Sequence, residues 1–468
     1  MRDSGTKLLS YIIIFLIIEA NLGFCQNQIL YNNKISPIDQ PNILNYRTNK
    51  LSNQGIIDNN DHRLFWFIHI TDTQMIWFEN EKIEQFYEFF NSSFKEIKPL
   101  FIYNTGDLVD AHNGAHQDVE EWKLYKKAIE DNKMNYSIYI DIAGNHDITK
   151  DATASHYFNY SLIGSNFKTL QYSFNRTLSF GNYAFIGLNT AKFSYNLLEF
   201  AFIGFLNTTE LDWYESELKK YKDFDKIFVF GHHPYNFPFP FLIKSSLSSS
   251  GKTFFDLNEE YGISTYISGH VHTNYEIKEN GIFSIITSNF DKDNGTYRII
   301  ALDNNKLSTT VENVGKWPQA LITNPINEEI IKKNNNKIRV LAWDPLGITS
   351  VKWVLINLEN ETQINDWTPL IRVQDGDPLW EGDLKIQAEG NFLIKVKIES
   401  ESGEIIKEII IHTKINENII FSIILLLIIV VGISLSIIII IYSKIHIRKL
   451  KKIKNFKIKI NSNKVVDD

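Results

Sequence analysis

Five short apolar runs, each followed by polar residues, constrain the fold of this chain more than any other feature of its sequence. Each run has the length of a buried strand, and amphipathic stretches of helical period separate several of them. Strands that alternate with helices predict an α/β fold with a sheet covered on both faces, whose functional residues gather beyond the strand ends. The runs are 64–70, 100–103, 137–142, 226–230 and 264–267.

The polar residues that follow these runs are of the types that bind metals. Each short motif alone is typical of a turn, because Asn and Asp hydrogen-bond their own backbone. Five motifs after five strands instead predict a shared site. Two divalent cations about 3.5–4 Å apart can activate a water and hold a phosphoryl group, and a carboxylate must bridge them because they repel each other; Asp107 is the candidate bridge. The motifs are DTQ (72–74), GDLVD (106–110), GNHD (144–147), GHHP (231–234) and GHVH (269–272).

These motifs resemble the calcineurin-like metallophosphoesterase superfamily, whose pattern is Asp-x-His, Gly-Asp-x-x-Asp, Gly-Asn-His-Asp/Glu, a lone His and Gly-His-x-His. The resemblance covers about residues 61 to 320. It implies a β-sandwich flanked by helices and a centre of two divalent metal ions, which in this family are Mn, Mg, Zn or Fe. Further stretches, such as FGNYAFIGLNT and GKWPQALITNP, are similar to the transmembrane-protein-62-like branch, in which a β-domain and a membrane segment follow the enzyme domain.

Carried over position by position, the resemblance implies a role for each polar residue. A hydroxide bridging the metals would attack phosphorus, and His146 would assist the departing oxygen as a general acid, with Asp110 holding its imidazole in orientation through a carboxylate. Asp147 is expected to hold the turn. The first metal would be bound by Asp72, Gln74, Asp107 and His272, and the second by Asp107, Asn145, His232 and His270.

Gln74 departs from the family pattern, which usually has His at this position. An amide oxygen is a poorer ligand for zinc and a fair one for magnesium or manganese, so we expect a weaker or differently selective first site. The opposing interpretation is a degraded site on a fold that survives as a non-catalytic receptor or assembly factor. The intact remaining positions favour a phosphoesterase, and they leave open whether the substrate is a monoester or a diester. A lipid-linked phosphate is suggested by analogy alone.

Other histidines carry less information. His69 lies within a strand and is expected to be a hydrogen-bonded core residue. His112 and His116 follow GDLVD in a loop, where solvent exposure is the default and a substrate-facing role is the alternative. His233 competes with His232 for the metal, and the family's His-x-Pro pattern favours His232.

The N-terminal end predicts entry into the secretory pathway. Arg2 and Lys7 precede the apolar stretch 8–18, and small residues follow, so residues 1–25 are typical of a cleaved signal peptide; an uncleaved anchor is the alternative. The only cysteine, Cys25, lies in this segment, so no disulfide is expected in the mature protein.

The C-terminal end predicts a single-pass membrane protein. Residues 419–442 contain no charge and are long enough to cross a hydrocarbon core of about 30 Å. The tail 443–468 has a net charge of +7, which favours a cytosolic tail and a lumenal or extracellular catalytic domain, a type I topology. The rest of the chain is strongly acidic, which argues against a nucleic-acid partner. Seven glycosylation sequons agree with this location, at Asn91, Asn135, Asn159, Asn175, Asn207, Asn294 and Asn360.

The remaining segments divide the chain into domains. Residues 26–60 are expected to form an irregular lead-in to a phosphoesterase domain over 61–323. Residues 324–416 contain short alternating segments separated by Gly, Asn and Asp, which predict a small all-β, immunoglobulin-like domain that begins with a linker. Ser402-Gly403 is expected to form the hairpin turn between its last two strands.

Overall fold

The computed structural model describes residues 55–59, 61–151, 153–191, 204–235, 242–243, 246–291, 295–332 and 336–413. The expected signal peptide 1–25, most of the lead-in, the expected span 419–442 and the tail 443–468 lie outside these residues. Within the described ranges, no helix combines the length and the apolar composition that a membrane crossing requires.

Two six-stranded sheets form the first part of the structure. One has the order β14-β13-β2-β3-β4 with β1 paired to β2, and the other has the order β11-β12-β10-β8-β6-β5. Strands β2, β3 and β4 run parallel, as do β6, β8, β10 and β12. The strands are β1 (Ile56–Asp58), β2 (Arg63–Ile70), β3 (Ile102–Asn104), β4 (Tyr139–Asp141), β5 (Tyr172–Leu178), β6 (Gly181–Gly187), β7 (Gly204–Phe205), β8 (Lys226–Phe230), β9 (Leu242–Ile243), β10 (Thr265–Ser268), β11 (Tyr275–Glu279), β12 (Ile282–Ile286), β13 (Thr296–Asp303) and β14 (Lys306–Asn313).

The two sheets pack face to face through aromatic side chains. The Tyr103 and Phe230 rings stack with centroids 3.7 Å apart, and Phe67 meets Phe228 edge-on at 5.7 Å. Along β2, Phe65 and Phe67 enter this layer, whereas Trp66 and Ile68 point to the opposite face and pack with the helices. Both faces of β2 are therefore buried, which explains why its sequence is continuously apolar.

Helices cover the outer faces of the sandwich. Trp122 and Tyr125 of α4 join the core beside the first sheet, and Leu211 and Tyr214 of α8 join the core beside the second. This arrangement confirms the predicted sandwich flanked by helices. The helices are α1 (Asn80–Phe89), which continues through a π-helical stretch (Phe90–Phe94) into α2 (Lys95–Ile97), then α3 (Ala111–Gly114), α4 (Val119–Asp131), α5 (Asn145–Ile148), α6 (Ser155–Tyr160), α7 (Leu162–Phe167), α8 (Thr208–Tyr221) and α9 (Phe254–Glu260).

A second, β-rich region follows, with two sheets of order β15-β17-β22-β21 and β16-β24-β23-β18-β19, β20 also pairing with β18. Val340, Trp353 and Val396 share its core, so the region is a β-sandwich, as predicted; its immunoglobulin-like character remains a prediction. The expected hairpin at Ser402-Gly403 joins β23 to β24. The strands are β15 (Gln319–Asn324), β16 (Glu329–Ile331), β17 (Asn336–Trp343), β18 (Ile348–Asn357), β19 (Thr362–Gln363), β20 (Thr368–Pro369), β21 (Ile371–Arg372), β22 (Leu379–Leu384), β23 (Gly390–Ser400) and β24 (Glu404–Thr413).

Three segment boundaries differ from the sequence-based expectations. β15 already pairs with β17, so the second sandwich begins at Gln319 rather than at residue 324. β16 lies in the expected linker and pairs with β24, and β1 lies in the expected irregular lead-in and pairs with β2. These short segments have no strong alternation of their own; they are strands because a neighbouring strand offers them backbone hydrogen bonds.

The two sandwiches are joined by a shared core and by buried polar contacts. The Trp66 and Trp343 rings lie 5.9 Å apart within one cluster of buried side chains. Arg339 Nε donates to Asp303 Oδ2 at 2.8 Å, and the Thr323 hydroxyl donates to the same oxygen at 2.7 Å. The second sandwich therefore packs directly on the first.

Candidate metal centre

The carboxyl ends of the parallel strands carry the predicted ligands. Asp72 follows β2, Asp107 follows β3 and Asn145 begins α5 after β4. His232 follows β8, and the GHVH motif follows β10. Because the two sheets pack face to face, these strand ends meet at one edge of the sandwich.

Asn145 and two imidazoles form the first group of converging donor atoms. Asn145 Oδ1 lies 2.9 Å from His232 Nε2 and 3.0 Å from His270 Nδ1, and His232 Nε2 lies 3.2 Å from Asp107 Oδ2. The other ring nitrogen of His232, Nδ1, donates to the Thr105 carbonyl at 3.0 Å. That bond places a proton on Nδ1 and turns Nε2 toward the centre.

Asp72 anchors the second group. Its Oδ1 lies 3.2 Å from His272 Nε2, and its Oδ2 accepts the backbone N–H of His270 at 2.9 Å. One donor atom each from Asp72, Asp107 and His232 lie within 4.8 Å of one another. Asp107 thus lies beside both groups, which is the position expected of a bridging carboxylate.

Several of these residues have a backbone conformation that side chains rarely adopt. Asp72, Gln74, Asp107, His270 and His272 have φ values of 50°, 40°, 54°, 70° and 50°. Left-handed non-glycine residues are each unfavourable by about 1–3 kcal/mol and concentrate at functional sites. Gln74 is also held here, since its N–H donates to the Asp107 carbonyl at 2.9 Å and the residue is buried. Its role as a metal ligand remains a prediction.

Two glycines make room for the carboxylates. A Cβ at Gly144 would lie 2.2 Å from Asp107 Oδ1, and a Cβ at Gly269 would lie 2.4 Å from Asp72 Oδ2. Any other residue would push these oxygens away. The glycines of these two motifs therefore allow the close approach of the carboxylates.

The electrostatics of the centre favour a bound cation. Burial alone would raise the pKa of Asp72, but its hydrogen bond to His272 and the charge of His232 hold that pKa well below its usual value. Burial would also raise the pKa of Asp107, but the charges of His232 and His146 lower it below its usual value. Burial would lower the pKa of His232, but the charge of Asp107 raises that pKa to about 9. Buried carboxylates, an amide oxygen and imidazoles form a donor set that fits divalent metals. A bound cation would balance the carboxylate charges in place of the proton that His232 holds without it.

His146 lies beside the group, but Asp110 does not hold it as predicted. His146 Nδ1 donates to the backbone carbonyl of Asp110 at 2.6 Å, and the Asp110 carboxylate instead accepts the N–H of Asn113. The prediction of a carboxylate partner was wrong because that carboxylate caps the following turn. His146 Nε2 lies 3.8 Å from Asp107 Oδ2.

Asp147 holds the turn, as predicted. Its Oδ1 accepts the N–H groups of Leu108 and Val109 at 2.8 and 3.2 Å, and its Oδ2 accepts that of Gly144 at 2.7 Å. The GDLVD and GNHD motifs are therefore linked by one buried carboxylate.

Two further histidines can now be assigned. His69 is buried and bonded to the hydroxyls of Thr287 and Thr105 at 2.7 and 2.9 Å, which confirms a core role. His233 lies close to the centre, with its ring 4.4 Å from that of His270, although its Nδ1 pairs with Thr190 at 2.9 Å. Only the doubled histidine of GHHP signals this proximity in the sequence.

The comparison with protein families agrees with the geometry. The calcineurin-like phosphoesterase family model matches residues 65–274, a stretch that contains all five motifs. The chain therefore carries a calcineurin-like phosphoesterase domain over these residues.

Among individual proteins, the chain is 27% identical to "Transmembrane protein 62" of Mus musculus over 321 residues, which are 62% of this chain and 47% of that protein. This similarity confirms the predicted branch. It is 25% identical over 239 residues to "Putative metallophosphoesterase At3g03305" of Arabidopsis thaliana, covering 45% of this chain and 30% of that protein. The chain thus spans less than half the length of either relative. A solved structure, "GAP50 the anchor in the inner membrane complex of Plasmodium", matches with a TM-score of 0.35 and 18% identity over 54% of this chain and 85% of that one.

Proposed function

We propose that this protein hydrolyses a phosphate ester at a centre of two divalent metal ions. The observation that carries the proposal is the meeting of Asp72, Asp107, Asn145, His232 and His270 at the strand ends. When bound, such ions polarise phosphoryl oxygens and lower the pKa of a water molecule. The residues that would hold them are Asp72, Gln74, Asp107 and His272 for one ion, and Asp107, Asn145, His232 and His270 for the other.

His146 is suited to protonate the departing oxygen. A carbonyl can only accept a hydrogen bond, so the contact with Asp110 keeps one proton on Nδ1 and leaves Nε2 toward the centre. In the imidazolium form Nε2 would carry a second proton, and this is the proton that would pass to the departing oxygen. The side chain is 14% exposed, which allows contact with a bound ester. The Asp110 carbonyl therefore acts as the group that orients the acid.

The proposal extends to the location of the reaction. The uncharged stretch 419–442 and the basic tail after it favour a type I membrane protein, and the similarity to a protein named transmembrane protein 62 supports membrane association. A catalytic domain held beside a bilayer makes a lipid-linked phosphate a candidate substrate class. The signal peptide and the glycosylated lumenal domain belong to the same proposal.

Hydrolysis of aryl phosphates tests the activity. The purified full-length chain with Mn²⁺ would be assayed on p-nitrophenyl phosphate and on its bis-ester, which also separates monoesterase from diesterase activity. We expect Asp107→Asn to abolish turnover and His146→Ala to reduce it by about 10²–10⁴-fold. His412→Ala, on the second sandwich, is the matched control and should keep full activity.

The same assay can also contradict the proposed activity. A folded wild-type chain that neither hydrolyses these esters nor binds metal would favour the non-catalytic receptor or assembly factor. Equal activity of His146→Ala and wild type would remove His146 from the mechanism without removing the metal centre.

A further inference from the structure

A second group of metal-type side chains lies outside the centre described above. One donor atom each from His112, Asp118 and Glu121 lie within 4.8 Å of one another. They come from α3 and from the beginning of α4, and none of them is a predicted ligand of the strand-end centre.

The imidazole and the first carboxylate of this group are held in place by their surroundings. His112 Nε2 lies 2.9 Å from Asp118 Oδ2, an oxygen that also accepts the Trp77 indole N–H at 3.2 Å. Asp118 Oδ1 caps α4 by accepting the N–H of Glu120 at 2.8 Å. The His112 ring stacks on that of His116, with centroids 4.2 Å apart.

The carboxylate of Glu121 takes no part in the His112–Asp118 ion pair. The residue is fully buried, and its Oε2 accepts the N–H of Ala111 at 2.7 Å. Its Oε1 is buried and has no hydrogen-bond partner among the described residues. Leaving a buried acceptor unpaired is unfavourable, and more so when the group is charged. A cation next to this carboxylate would remove that cost.

We propose that His112, Asp118 and Glu121 bind a divalent metal ion of their own. Imidazole nitrogen and carboxylate oxygen are both ligand types of protein zinc sites, and carboxylates also suit manganese. The His112–Asp118 contact by itself fits an ordinary ion pair, whereas the buried and unpaired Oε1 of Glu121 calls for a further partner, and a cation held by all three side chains supplies it. The ion neutralises two carboxylates that lie close together.

The position of this site gives the ion a structural task. Glu121 holds the N–H of Ala111, the residue next to Asp110, whose carbonyl orients His146. A Cβ at Gly114, in the same turn, would lie 3.5 Å from Cε1 of His146. The ion therefore fixes the turn that lies over the His146 ring.

Counting bound zinc tests the proposal. The full-length chain, freed of metal by a chelator, would be titrated with Zn²⁺, and its bound equivalents measured by calorimetry and elemental analysis. The variant combines Asp118→Asn with Glu121→Gln, because Asn caps a helix as well as Asp does and the Gln oxygen can still accept the Ala111 N–H. Glu120→Gln is the matched control, since Glu120 is a neighbouring, 59% exposed acid on the same helix.

We expect the double variant to bind one equivalent fewer than wild type and Glu120→Gln. Equal stoichiometry with equal zinc affinity in all three proteins would overturn the proposal. The same count with a weaker site in the double variant alone would support it, because an amide oxygen is a poorer zinc ligand than a carboxylate. The strand-end centre binds the same number of ions in all three proteins, because none of the substitutions lies in it. It therefore does not affect the difference in bound zinc between them. Should the double variant not fold, His112→Gln, whose side chain is 30% exposed, decides by the same count.

Discussion

At the scale of single residues, Gln74 has the clearest measurable consequence. Its backbone is fixed beside Asp107, at the position where the family usually has His. Imidazole is a stronger zinc ligand than an amide oxygen, so Gln74→His is expected to raise Zn²⁺ affinity by about 10-fold or more, with a smaller gain for Mg²⁺. Titration calorimetry with each metal measures both values. Gln363→His, on an exposed strand of the second sandwich, is the control; an identical zinc affinity for Gln74→His and wild type would show that residue 74 is not a ligand.

His69 predicts a pH dependence of stability. Burial, assisted by the charge of Arg298, lowers its pKa from 6.5 to about 3. Below about pH 6.5 the His69 imidazole therefore binds a proton in the unfolded chain but not in the folded chain. The free energy of unfolding falls as the pH drops, by at most about 1.4 kcal/mol per pH unit. His69→Gln removes this contribution. The difference in unfolding free energy between wild type and variant should shrink by about 1.6 kcal/mol from pH 6.5 to 5 in urea titrations; a constant difference would contradict a neutral buried imidazole.

At the scale of elements, Asp141 at the end of β4 holds the beginning of α7. Its two oxygens accept the N–H groups of Leu162 and Ile163, each at 2.8 Å, and one also accepts the Tyr125 hydroxyl. Asp141→Ala leaves these buried donors unpaired, and we expect it to lower the unfolding free energy by about 3 kcal/mol. Asp256→Ala, in the exposed capping box of α9, should lower it by only about 0.5–1 kcal/mol. Urea unfolding compares the two; equal losses would mean that burial does not set the difference.

At the scale of the whole molecule, the contact between the sandwiches predicts cooperative unfolding. Asp303 is fully buried and Arg339 nearly so. Removing one partner strands a buried charge, so Arg339→Ala should lower the unfolding free energy by about 3–5 kcal/mol. Because Trp66 and Trp343 share one core, a single calorimetric transition should move to lower temperature. Lys395→Ala, which breaks a partly exposed pair with Glu408, should cost less than about 1 kcal/mol. Two transitions, of which only one moves, would contradict a common core.

Five strands of the first sandwich and the residue types at their ends were predictable from the sequence alone. The apolar run of β2 is readable because both of its faces are buried, and the glycines of the motifs are readable because a Cβ would collide with the carboxylates. The hairpin at Ser402-Gly403 is a local feature and was predicted for the same reason.

Features that depend on a distant partner could not be predicted from the sequence, because that partner is known only once the chain is folded. β15 and β16 are strands because β17 and β24 lie beside them, not because of their own pattern. Asp110 orients His146 through its carbonyl because its carboxylate is occupied by the next turn. The unpaired oxygen of Glu121 becomes visible only once burial is known. Local sequence sets which groups a residue offers, and packing decides which of them find a partner.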